Sequence, residues 1–152
     1  MYSTKNLYII DSAVIDYGTL IRELPKGSEW VILNSEQDGL LQLQEFLANY
    51  SQLDSIQILS HGSPGALYLG STVLTEITLD HYDLALAQVR KSLSEDADIL
   101  LYGCEVGAGE TGRRFINKLA EYCAANVAAN DNLTGARELG GGVVTSQCDE
   151  CN

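Results

Sequence analysis

"IQILSHGSPG", residues Ile56–Gly65, is the stretch on which the reading of this chain turns. Its Ile and Leu run suits a buried strand, which closes on Ser60-His61-Gly62 before Ser63-Pro64-Gly65 turns the backbone. An imidazole that ends an apolar strand on a glycine corner stands at the rim of a sheet, so its meaning depends on the strand ends beside it.

Four further runs have the same form. Leu7–Ser12 (LYIIDS), Trp30–Ser35 (WVILNS), Ile99–Cys104 (ILLYGC) and Asn126–Asp131 (NVAAND) each finish in small or polar residues. Continuous apolar runs belong to strands covered on both faces, as in a mostly parallel sheet. Between them the spacing is helical: Leu40, Leu43, Leu47 and Tyr50 share a face, as do Tyr82, Leu86, Val89 and Leu93, and Phe115, Leu119 and Cys123. Asp16–Leu24 forms a weaker helical segment that Pro25 stops. The alternation predicts an α/β fold, a three-layer α/β/α sandwich around a mostly parallel sheet. Ala66–Thr75 interrupts it with two short strand patterns around Gly70-Ser71, which predicts a β-hairpin inserted after the His61 strand.

With 152 residues, 45% of them hydrophobic, the chain suits one compact core. Residues 1–139 read as that domain and 140–152 as a flexible, Gly-rich, cysteine-containing tail. A formal charge of −12 with only nine scattered Lys and Arg excludes a phosphate-backbone footprint, so no nucleic acid is expected. No stretch approaches a membrane span. The opening MYSTKNLYIID enters a strand pattern without a basic leader or cleavage site, so the chain as it stands is expected in the cytoplasm, with its four cysteines reduced.

In an open parallel sheet the carboxyl ends of the strands share one edge, where ligands bind. That edge gathers Asp11, Asn34, His61, Cys104 and Asp131. A thiol is a strong nucleophile only as thiolate, and an adjacent imidazole that takes its proton makes it reactive near neutrality. His61 and Cys104 are therefore the candidate base and nucleophile. Gly62 and Gly103 let the backbone turn sharply beside them, and the amides of Gly62 and Cys104 are candidates for holding the oxyanion of a tetrahedral intermediate.

An apolar strand ending in His-Gly, followed about 40 to 50 residues later by one ending in Cys, resembles the caspase-like (clan CD) cysteine peptidases. In more detail, ILSHGSPGALYLGS, LLYGCEVGAGETGRRF and NVAANDNLTG resemble the bacterial family DUF4347, from about Leu7 to Gly141. The resemblance implies a caspase-hemoglobinase fold and hydrolysis of a peptide or protein substrate through an acyl-enzyme. It implies no metal and no organic cofactor, and its members often belong to larger secreted or surface proteins. Tyr102 stands where basic-specific relatives carry an acid, and Gly-Val-Val-Thr replaces the Asp-Trp ending that usually follows Gly-Gly, so the specificity of those relatives does not transfer.

Asp131, Asp11 and Glu105 are candidates for lining a pocket for a basic side chain, Asp131 foremost; caps or solvated acids are the alternative. Arg113 and Arg114 read as a solvated helix face, with an acidic substrate group as the other option. Cys123 and His81 read as core packing and a helix-start residue. Cys148 and Cys151 have the spacing of a zinc knuckle or a redox dithiol, but no second such pair completes a four-ligand site. Two functions compete: a cysteine endopeptidase, self-processing at Gly140–Gly142 in one version, and a catalytically silent recognition or sorting module.

Overall fold

The computed structural model describes residues 6–14, 16–24, 28–102 and 105–130. In chain order it contains β1 (Asn6–Asp11), α1 (Tyr17–Arg22), β2 (Glu29–Leu33), α2 (Gly39–Leu47), β3 (Leu53–Leu59), the short strands β4 (Gly62–Ser63), β5 (Ala66–Leu69) and β6 (Thr72–Thr75), a 3₁₀ turn (Thr78–Tyr82), α3 (Asp83–Ser92), β7 (Leu93–Tyr102), α4 (Gly109–Cys123) and β8 (Asn126–Asn130).

All five long apolar runs lie in one sheet, in the order β2-β1-β3-β7-β8, and every neighbouring pair is parallel. Successive side chains alternate between its faces. Leu7, Ile9, Ile56, Ile58, Ile99 and Leu101 point into a core shared with α2, α3 and α4. Tyr8, Ile10, Leu59 and Tyr102 point the other way, against Leu20 and Ile21 of α1. Helices therefore flank a parallel sheet on both faces, and the apolar runs at the centre of the strands follow from that double cover.

Helix faces match the spacing except at their ends. Tyr50 lies beyond α2 and donates its hydroxyl to Glu29 Oε1 at 2.6 Å. Leu93 opens β7, where it pairs with Leu53, and the register then jumps so that Ser55 faces Asp98. The charged stretch between Ser94 and Asp98 has no apolar period, so sequence spacing assigned Leu93 to the preceding helix.

A second sheet, β4-β5-β6, is antiparallel. It buries Leu67, Leu69 and Leu74 in the larger core. Its Gly70-Ser71 tip reaches the start of α2, where Ser71 N–H donates to Gln37 O at 2.8 Å. Asp38 caps that helix, accepting from Leu40 and Leu41 N–H, and also receives the Tyr82 hydroxyl at 2.9 Å.

On the α1 face, Tyr102 Oη donates to Gln57 Oε1 at 3.2 Å across the β3–β7 pair. Burial, with Tyr8 alongside, pushes the Tyr102 phenol up to about 12. The unfolded chain loses this proton near pH 10, earlier than the folded one, so stability is unaffected below that pH and falls as pH rises toward 12. We expect the urea midpoint to drop over that window and Tyr102→Phe to remove part of the drop; an equal decline in both proteins would exclude Tyr102 as a source.

Candidate functional site

β1 and β3 are the strands between which the connection direction reverses, since the chain leaves β1 for β2 on one side and returns to β3 on the other. A parallel sheet opens a crevice at such a point, beyond the carboxyl ends of the two strands. His61 lies there, two residues past β3 and half-buried. Its Nε2 is 3.2 Å from the carbonyl oxygen of Ala13, in the loop that follows β1. A carbonyl only accepts, so Nε2 carries a proton in this contact, and in the neutral ring the lone pair is then on Nδ1. The contact thus fixes the orientation of the ring.

Asp11 fixes the carbonyl that fixes His61. It is 2% exposed; Oδ1 accepts Ala13 N–H at 2.8 Å and Oδ2 accepts Gly70 N–H at 2.6 Å. Val14 N–H completes the turn by donating to Asp11 O at 3.0 Å. One carboxylate therefore ties the β1 loop to the β5–β6 tip, with both oxygens engaged by backbone amides. Nearby, Ser12 Oγ accepts Ser35 N–H at 2.9 Å and joins the ends of β1 and β2. The sequence signals for this support are weak: Ala13 acts through its backbone, and the Asp11 partner at Gly70 is 59 residues away.

The strand leading to Cys104 runs beside the one leading to His61. Leu59 pairs with Tyr102, and Ser60 N–H donates to Tyr102 O at 3.1 Å. Further on, Gly65 N–H donates to Val106 O at 3.0 Å, so the two loops are stitched on both sides of His61. Gly65 sits in a conformation that side chains rarely adopt: its φ is +74°, and a Cβ would lie 2.4 Å from Thr111 Cγ2. Gly103 and Cys104 are outside the described residues, as are Asp131, the Gly140–Gly142 run, Cys148 and Cys151.

The other expected residues are placed as follows. Gly62 opens β4 opposite Leu67. Glu105 is exposed, in the left-handed region at φ 57°, and its carbonyl accepts Ala108 N–H at 2.9 Å. Cys123 is sealed in the core of α4, and burial pushes its thiol up to about 12. His81 is exposed in the 3₁₀ turn. Among the described residues no three His, Cys, Asp or Glu side chains converge as metal ligands, and no helix is long and apolar enough to cross a membrane.

Comparison with known proteins adds three findings. Among solved structures, a crystal structure of a small-chain dehydrogenase is similar at 8% identity, with 88% of this chain and 87% of that one covered and a TM-score of 0.45. A likeness of that degree bears on neither activity nor cofactor. No match to a curated protein reaches significance. The model of a family described as a domain of unknown function, DUF4347, matches residues 7–143, nearly the whole chain, which belongs to that family.

Proposed function

We propose that the chain is a caspase-like cysteine endopeptidase of the clan CD type, in which His61 is the general base and Cys104 the nucleophile. The observation that carries the reading is the His61–Ala13 contact at the switch point, because it orients an imidazole with Nδ1 left to receive a proton. Cys104 follows Tyr102 by two residues in the sequence, and the strand that Tyr102 ends is the neighbour of β3. The antiparallel β4-β5-β6 segment, following His61 directly, is read as an insertion that holds the His61 loop from the far side.

In this mechanism Cys104 Sγ–H gives its proton to His61 Nδ1, and the thiolate attacks the scissile carbonyl carbon. The tetrahedral oxyanion is held by the amides of Gly62 and Cys104. Collapse breaks the C–N bond, the amine leaves with the proton from His61, and water then hydrolyses the thioester with His61 again as base. The Ala13 carbonyl accepts from Nε2–H throughout and stabilises the imidazolium.

Iodoacetamide labelling and peptide-library digestion test this. At neutral pH, Cys104 is expected to alkylate fast and the core thiol Cys123 to stay unlabelled until the protein unfolds. His61→Ala should lower peptide hydrolysis by roughly 10²–10⁴-fold, and Cys104→Ala should abolish it. Slow labelling of Cys104 that is indifferent to His61→Ala, with no cleavage, would discard the peptidase and leave a recognition module.

A further inference from the structure

A cavity of about 190 Å³ opens between α4 and β8, lined by Gly107, Arg113, Ile116, Asn117 and Val127–Ala129. It has room for about six waters. Its polar side chains, Arg113 and Asn117, are one helical turn apart and share a face of α4, while Ile116, Val127 and the two alanines supply apolar wall. Among the described residues no carboxylate lines it.

The cations of α4 are not equivalent. Arg114 pairs with Glu76 at 3.2 Å and with Glu110 at 3.3 Å, and Lys118 pairs with Asp80 at 3.1 Å while also donating to Glu76 O at 2.7 Å. Arg113, the one that faces the cavity, makes no hydrogen bond or ion pair with any described residue. A guanidinium beside an amide donor and next to apolar surface, with no acid among the described lining residues, matches one ligand chemistry.

We propose that this cavity binds a carboxylate on a short aliphatic stem, with Arg113 donating to both carboxylate oxygens and Asn117 adding an amide donor. The stem packs on Ile116 and Val127. Such a group is carried by a glutamate or aspartate side chain of a peptide and equally by a free dicarboxylate. Binding stands apart from the peptidase reading, since none of these residues takes part in the His61 contact and it can be measured on Cys104→Ala.

Full-length Cys104→Ala, labelled with ¹⁵N, would be titrated with glutarate, with blocked acetyl-Ala-Glu-Ala-amide and with its glutamine counterpart. Saturable shifts at Gly107, Arg113, Asn117 and Ala128 with glutarate or with the glutamate peptide, but not with the glutamine peptide, are the expected result. Response to the peptide assigns the site to acidic protein segments; response to glutarate alone assigns it to small dicarboxylates. Arg113→Gln should weaken binding about tenfold or more, while Arg114→Gln should leave it within about twofold. Circular dichroism would confirm that both variants fold. Equal binding of the glutamine peptide, no saturation by either acid at millimolar concentration, or an Arg113→Gln variant that binds as tightly as the parent overturns the proposal.

Discussion

Gly39→Ala and Gly70→Ala are each expected to lower folding free energy by about 3 kcal/mol or more. A Cβ on Gly39 would lie 2.3 Å from Leu69 O, and one on Gly70 would lie 2.1 Å from Gln37 O. Both obstacles are backbone, which cannot rotate away as a side-chain end can. Gly70 also has φ +60°, which costs an L-residue roughly 1–2 kcal/mol in its own right. Gly109 separates the two contributions, because its φ is +66° but a Cβ there meets nothing within 4 Å. Gly109→Ala should therefore cost only the backbone term, about 1–2 kcal/mol. Urea denaturation of the three variants checks the order. If Gly39→Ala costs no more than Gly109→Ala, the β5–β6 tip is not seated on the start of α2.

Asp11→Ala is expected to cost about 2–5 kcal/mol and, under the peptidase reading, to slow turnover at least tenfold. It leaves the amides of Ala13 and Gly70 without their acceptor in a site that is 2% exposed. An unsatisfied buried donor carries its full desolvation cost, so two of them outweigh the loss of one favourable contact. Asp11 does not touch a substrate in this scheme; it positions the Ala13 carbonyl, which in turn orients His61. Asp11→Asn keeps an acceptor for one amide but turns an N–H₂ toward the other, so it should fall between Ala and the parent in stability. The readout that separates positioning from mere stability is the His61 ring. Its ¹⁵N spectrum should show protonated Nε2 in the parent and a mixture of tautomers in a folded Asp11→Asn. A folded variant that retained the single tautomer and full reactivity would remove Asp11 from the positioning chain.

The sheet was legible because its strands are covered on both faces and so are mostly apolar, as in Leu7–Ile10 and, but for Gln57, Ile56–Leu59. Helix faces were legible for the same reason, through Leu40, Leu43 and Leu47 and through Phe115, Leu119 and Cys123. Element ends were not. Leu93 fits a helical stripe by spacing, and only its pairing with Leu53 makes it a strand residue. At the candidate site, the sequence placed His61 at a strand end without a third partner, because a carbonyl contributed by alanine leaves no mark in residue type. Asp11 read as a pocket acid for the matching reason: a strand-end carboxylate looks the same whether it faces a ligand or two backbone amides, one of them 59 residues away. Arg113 and Arg114 are neighbours with identical side chains, and only the position of Glu76 and Glu110 on one side of α4 distinguishes them.

The sheet order also sets a sequence of events during synthesis. β1, first of the sheet's strands in chain order, becomes an interior one, flanked by β2 and β3, so the ribosome has released both neighbours before β1 is enclosed. A short β1-α1-β2 unit can close locally, but the contact between the Ala13 loop and His61 waits for β3, and the β7 strand that precedes the thiol arrives later still. Under the peptidase reading, a nascent chain of this topology makes the segment carrying Cys104 only after His61 and its support have been made.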